Sequence, residues 1–168
     1  DVFIHLNSPT APDVPAYGRI QGFLDICQEN NLNHKIIYRV LGNTYDQIRQ
    51  NLSEIISQLE QDYPQQRKGI FVSNDTDANV LVNLLLQKYG KLPDDYYIVG
   101  FDDSPISSEA AIPISTVGQH IDQIAQEAMK LLVEQMNERK KRRPAPQEKP
   151  VHKVITPYLI RRATTEKE

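Results

Sequence analysis

The chain has 168 residues, 39% of them apolar, and a formal net charge of -3, which allows one α/β core and leaves little chain for a second independent domain. A net acidic surface excludes a fold whose main face tracks phosphate backbones, since that needs a cationic face. The single cysteine, Cys27, excludes an intrachain disulfide and a multi-cysteine metal site; no run approaches the ~20 apolar residues of a membrane helix, and the amino terminus lacks the basic-then-apolar layout of a secretory signal.

In chain order, short β-branched and aromatic runs alternate with helical periodicity, the pattern of βα units feeding a parallel sheet. The sequence opens on Asp1-Val2-Phe3-Ile4 without a methionine, so it reads as cut from a longer chain that is already in a strand. Strands are expected at Val2 to Leu6, Lys35 to Leu41, Gly69 to Ser73 and Tyr96 to Phe101. The first helix carries Tyr17, Ile20, Phe23, Leu24 and Cys27 on one stripe, with Asp13 as its cap and Pro15 in its first turn. The second opens on the capping pair Thr44 and Gln47, buries Ile48, Leu52, Ile55, Ile56 and Leu59, and ends at Pro64. The third is capped by Asp75 or Asp77, carries Val80, Leu81, Leu84 and Leu85, and stops at Gly90.

Pro93-Asp94-Asp95 is a turn into Tyr96 to Phe101, an unbroken apolar strand of the kind buried on both faces. A loop with Pro105 and Pro113 leads to Ser115-Thr116-Val117. A helix with Ile121, Ile124, Ala125, Ala128, Leu131, Leu132 and Met136 follows. Its continuous apolar face requires a partner, either a second copy of the chain or its own sheet. The run from Glu138 to Pro146 is charged and then proline-rich, a solvated helix end and loop. Val151 to Ile160 is expected to be extended, and Arg161 to Glu168 is a polar tail.

Ligands of an open parallel sheet gather at the carboxyl ends of its strands, where loops and helix N-termini converge. That edge collects Arg19, Ser73-Asn74-Asp75, Asp102-Asp103 and Thr116 to Gln119. An arginine fork, a carboxylate and side-chain amides together donate to and accept from adjacent hydroxyls, as a sugar requires. A strand-end aspartate such as Asp75 or Asp102 serves equally well as a helix cap or turn residue. Asp102 and Asp103 could instead hold Mg²⁺, although the other strand ends lack the acidic residue and lysine that complete such a site. His5, His34, His120 and His152 have no ligand spacing, and GxSxG, P-loop and GxGxxG motifs are absent. No catalytic residue, metal or cofactor is expected.

Arg19-Ile20-Gln21-Gly22-Phe23 resembles the RxxGF motif of LacI/GalR effector domains, and five further segments follow in family order. They are Gly69 to Asp75, Leu92-Pro93-Asp94-Asp95, Ile98 to Asp103 (resembling VGFDD), Ser115 to Gln119 (TTVxQ) and Leu159 to Thr165 (LxxRxST). The resemblance implies a parallel, doubly wound α/β fold of the type I periplasmic-binding-protein kind. It implies a cytoplasmic transcriptional repressor, not an enzyme, whose effector, a sugar, contacts Arg19, Asn74, Asp102 and Gln119. An exported sugar-binding protein of the same fold is the alternative. Residues 1–117 would be the C-terminal lobe; residues 118–158 would hold the hinge crossover and a helix and strand belonging mainly to an N-terminal lobe absent from the sequence; residues 159–168 would be a tail. A homodimer is implied, with operator DNA bound only through a domain absent from this chain. Val80, where the family commonly has glycine, Thr164 in place of serine, and the bulky Pro12 to Tyr17 segment resemble an arabinose-repressor-like branch with a GntR-type DNA-binding module.

Overall fold

A computed structural model describes residues 1–7, 15–140 and 151–166. Strands β1 (Val2–Asn7), β2 (His34–Tyr38), β3 (Lys68–Val72), β4 (Tyr96–Phe101), β5 (Ser115–Gly118) and β6 (Tyr158–Ile160) form one sheet in the order β2-β1-β3-β4-β5-β6. The pairs from β2 through β5 are parallel, with Ile4 opposite Ile70 and Ile70 opposite Ile98. Helices α1 (Pro15–Glu29), α2 (Tyr45–Asp62), α3 (Asp75–Tyr89), α4 (Pro105–Glu109) and α5 (Ile121–Lys140) follow the first five strands in turn.

The alternation of side chains along each strand sorts the sheet into two faces. Val2, Ile4, Leu6, Ile70, Val72 and Ile98 are buried in one core with Leu52, Ile55, Ile56 and Leu59 of α2 and Ala78, Leu81, Val82 and Leu85 of α3. On the other face, α1 packs Phe23 at 5.4 Å from the ring of His5, which stacks at 4.6 Å on Phe71.

The expected helix signals operate with two adjustments. The Thr44 side chain accepts from the Gln47 backbone N–H, but Gln47 Oε1 accepts in return from Asn43 N–H, one residue outside a standard box. The third helix is capped by Asn74, not by Asp75 or Asp77: Asn74 Oδ1 accepts from Asp77 N–H at 2.8 Å. It ends on Gly90 at φ 73, a left-handed residue that costs glycine little. Three extents differ from expectation. β2 stops at Tyr38, the partner of the last β1 residue, and so does not reach Leu41. Of the Val151 to Ile160 segment only Tyr158–Ile160 is strand. The stretch read as a loop at Pro105 is the short helix α4, with Ser104 at its N-cap and proline opening its first turn. The cap at Asp13, Pro12 of the bulky segment, and Lys141 to Pro146 of the charged run lie outside the described residues.

The chain divides into two compact units, Asp1–Val117 with Leu159–Glu168, and Gly118–Tyr158. In the smaller unit a Cβ on Gly118 would fall 2.7 Å from the Tyr158 ring, which itself stacks at 4.1 Å on His120. Glu127 bonds both Lys130 and Lys153, which together hold its carboxyl down at about 2. No residue of α5 is buried. Ile121, Ile124, Leu132, Val133 and Met136 stand exposed.

Candidate functional site at the carboxyl edge of the sheet

Arg19 lies in the second turn of α1 and reaches over the sheet edge. Its Nη1 donates to the Ser73 carbonyl at 3.1 Å, and its guanidinium carbon sits 4.3 Å above the centre of the Phe101 ring. A planar cation on an aromatic face gains attraction and loses little side-chain freedom. Burial pushes the Arg19 guanidinium below its ordinary value, and the neighbouring charge of Asp102 opposes that shift. Asp102 follows Phe101 directly and is exposed, with its backbone at φ 108. Arginine, aromatic ring and carboxylate are thus assembled from α1 and the end of β4.

Asn74 follows Ser73 and is half-buried, with its amide committed in part to helix α3. Besides the cap, Nδ2 donates to Asp77 Oδ2 at 2.8 Å. Burial raises the Asp77 carboxyl and the Asn74 bond counteracts it. An amide has two N–H groups and two lone pairs, so this use leaves one donor and one acceptor for another partner. Gln119 is half-buried and belongs to the smaller unit.

Sequence reasoning missed how the edge is held. Asp75 is 1% exposed, and its carboxylate accepts from Thr116 Oγ1 at 2.5 Å, Ser104 N–H at 2.8 Å and Ser104 Oγ at 3.1 Å. It is therefore neither cap nor exposed ligand contact. Gly100 lies against it so closely that a Cβ there would fall well inside 3.0 Å of Asp75 Oδ1. The Asp103 carboxylate takes a hydrogen bond from Arg162 Nη2 at 2.8 Å, while Arg162 Nη1 donates to Ser107 Oγ at 3.0 Å and to the Ile114 carbonyl at 2.9 Å. A guanidinium on Asp103 removes the second carboxylate that Mg²⁺ would need. Among the described residues no group of three or more histidine, cysteine or acidic side chains is placed to hold a metal. Asn7, at the end of β1, is 5% exposed and its Nδ2 has no partner among the described residues. A polar groove lined by Asp46, Arg49, Gln50, Ser53, Glu54 and Leu84 contains none of these side chains. No helix of the described residues is long and apolar enough to cross a membrane.

Comparison with known proteins places this geometry in a family. The ribose operon repressor of Bacillus subtilis (strain 168) is 29% identical over 125 residues, covering 74% of this chain and 35% of the relative. The ribose operon repressor of Escherichia coli (strain K12) is 25% identical over 155 residues, covering 89% of this chain and 42% of the relative. The chain thus spans well under half the length of these curated relatives. A LacI family transcriptional regulator from Lactobacillus casei, solved with bound sucrose, superposes with a TM-score of 0.72 at 23% identity, covering 97% of this chain and 56% of that one; the fold is shared. Residues 2–165 match the periplasmic binding protein-like domain, and the chain belongs to that family.

Proposed function

We propose that this chain is the effector-sensing, sugar-binding portion of a bacterial transcriptional repressor of the LacI/GalR kind, controlling DNA binding by a module outside the sequence. The observation that carries the reading is Arg19, fixed over Phe101 and beside Asp102 at the strand ends. A sugar hydroxyl pair can accept from the guanidinium and donate to the carboxylate, with the ring offering an apolar face. Asn74 keeps donor and acceptor capacity toward the same ligand; Gln119 enters the proposal on the resemblance alone. The relatives named as ribose operon repressors support a pentose, and the sucrose-bound neighbour supports a sugar in general. No step of chemistry on the ligand is needed: an effector that prefers one lobe arrangement shifts the equilibrium by its difference in affinity.

The same reading takes residues 1–117 as the C-terminal lobe, 118–158 as the hinge crossover with a helix and strand of the N-terminal lobe, and 159–168 as a tail; the compact units divide after Val117 as well, but join Leu159–Glu168 to the larger one. It also takes the protein to be a cytoplasmic homodimer. Val80, Thr164 and the Pro12 to Tyr17 segment are behind the finer proposal of an arabinose-repressor-like branch with a GntR-type module, which identifying the DNA-binding module of the full-length protein tests directly. The exported sugar-binding alternative has less support, since the matched relatives are named as repressors.

The test is a melt of the full-length protein with D-ribose, sucrose and purine bases, followed by operator-DNA retardation with the ligand that stabilises. Saturation at a hundred times Kd raises stability by about 2.7 kcal/mol. A stabilising sugar that leaves DNA affinity unchanged refutes the repressor reading. Stabilisation by purine bases alone refutes the sugar.

A further inference from the structure

Two consecutive non-glycine residues at the end of β4, Asp102 and Asp103, have positive φ, at 108 and 53. Aspartate tolerates the left-handed region near the second value, but the first lies in territory that is costly for any residue with a Cβ. Such strain persists only where the surroundings over-determine it. Asp102 itself is exposed.

The surroundings are specific. The Asp75 carboxylate, buried at the start of α3, holds the residue after the strained pair by both the backbone N–H and the hydroxyl of Ser104. Its other oxygen takes the Thr116 hydroxyl, and Thr116 Oγ1 in turn accepts from Asp103 N–H at 3.4 Å. On the near side, Asp102 N–H donates to the Val117 carbonyl at 3.0 Å. Gly100, which precedes the pair by two residues, leaves no room for anything but this carboxylate.

We propose that Asp75 and Thr116 are positioning residues that clamp the strained Asp102-Asp103 turn, and that this clamp sets the Asp102 carboxylate beside Arg19 for the effector. The second clause rests on the sugar-sensing reading; the first stands on the fold alone. Neither residue contacts the effector in this proposal; they act through the backbone on either side of Asp102. Glycine at 102 relieves the most strain while the clamp is intact, because a loosened turn has already relaxed in part.

The experiment uses the full-length protein with Asp102→Gly, Thr116→Val and the pair combined, read by urea unfolding and by calorimetric titration with D-ribose. Asp102→Gly should raise the urea midpoint in the parent and raise it clearly less in the Thr116→Val background, where Ser104 and Arg162 still hold the turn. An equal rise in both backgrounds overturns the clamp. Thr116→Val should weaken D-ribose at least tenfold and Thr116→Ser should restore it, because only the hydroxyl is shared between Asp75 and Asp103. Undiminished D-ribose affinity in Thr116→Val overturns the link to the effector. If the parent gives no heat with D-ribose, the ribose reading fails and the urea cycle still decides the clamp. Should Thr116→Val not fold, Ser104→Ala, which removes one hydroxyl from the same carboxylate, carries the identical cycle.

Discussion

Gly100→Ala is the smallest change with the largest expected consequence. The added methyl would fall well inside 3.0 Å of Asp75 Oδ1 and 3.3 Å from Asp75 Cα. The first contact is impossible and the second tight. Neither partner can withdraw easily, because Gly100 is paired with Thr116 in the sheet and Asp75 is pinned in the first turn of α3. The side chain of Asp75 must therefore swing away, losing the 2.5 Å bond from Thr116 and weakening those from Ser104. Hydrogen bonds to a charged group contribute about 1.5–3 kcal/mol each, and overpacking adds about 1–3 kcal/mol, so a loss of about 3–5 kcal/mol is expected. For a chain of this size that is a fall of about 10 °C in Tm, read by circular dichroism or scanning calorimetry. The double variant Gly100→Ala with Asp75→Ala should lose clearly less than the sum of the two single losses, since the methyl then occupies space the carboxylate has left. A Gly100→Ala protein melting within about 2 °C of the parent, or strictly additive losses, would refute the reasoning.

The remaining predictions concern buried polar groups and Arg19. His5 is fully buried, its Nδ1 is 3.0 Å from the Phe71 carbonyl and its Nε2 has no partner among the described residues; burial and the Arg19 charge lower its pKa from 6.5 in spite of that bond. The folded state therefore favours the neutral ring, so its stabilising contribution is present above pH 6.5 and is lost as pH falls below it, with a slope of at most ~1.4 kcal/mol per pH unit; His5→Phe should flatten the acid limb of stability against pH, and an unchanged slope would assign it to other groups. Lys68 has a side chain only 2% exposed and pairs at 2.6 Å with Asp95, which is 38% exposed. Asp95→Ala should cost about 2 kcal/mol, because it takes the carboxylate from a buried ammonium that keeps the Gln66 carbonyl and the Tyr96 ring, whereas Lys68→Met should be tolerated within about 1 kcal/mol; equal losses in urea unfolding would count against this asymmetry. Thr164 Oγ1 donates to the Ile98 carbonyl at 2.7 Å and accepts from Ser115 N–H at 2.9 Å, so Thr164→Val should lose about 2–3 kcal/mol and Thr164→Ser far less. Arg19→Lys, which cannot lie flat over Phe101 while donating to Ser73, should weaken D-ribose about tenfold with little change in Tm; an unaltered affinity would remove Arg19 from the proposed contacts.

What the sequence made legible follows the range of the interactions. Helices α2 and α3 were readable because periodicity, the Thr44 cap and Gly90 all act within a few residues. The apolar run from Tyr96 to Phe101 marked a central strand for the same local reason. Local signals point to Asp75 or Asp77 as the cap of α3, but Asp75 is drawn inward by Ser104 and Thr116, 29 and 41 residues away. No local rule reports such partners. The Pro105 segment carried a usable signal, serine followed by proline at a helix start, that its short length concealed. At the edge, Arg19 and Asp102 are electrostatically coupled, while Asn74 is shared with helix capping.

The anchoring of β5 explains why the last residues cannot be a passive tail. The chain leaves the larger unit after Val117 and returns only at Leu159, so its return must offset the entropy of closing that excursion, a cost that rises slowly with loop length. Three side chains do so at separate points. Thr164 joins the Ile98 carbonyl of β4 to the Ser115 N–H of β5. Ser115 Oγ bonds the Arg162 carbonyl and Thr165 Oγ1, and Arg162 spans Asp103, Ser107 and the Ile114 carbonyl. The Asp102-Asp103 turn is therefore held from two directions, by Asp75 from α3 and by Arg162 from the returning segment. Because the second anchor lies beyond the smaller unit in sequence, the geometry of Asp102 depends on the chain completing its excursion correctly, and a change in how that segment returns is felt at a residue whose charge acts on Arg19.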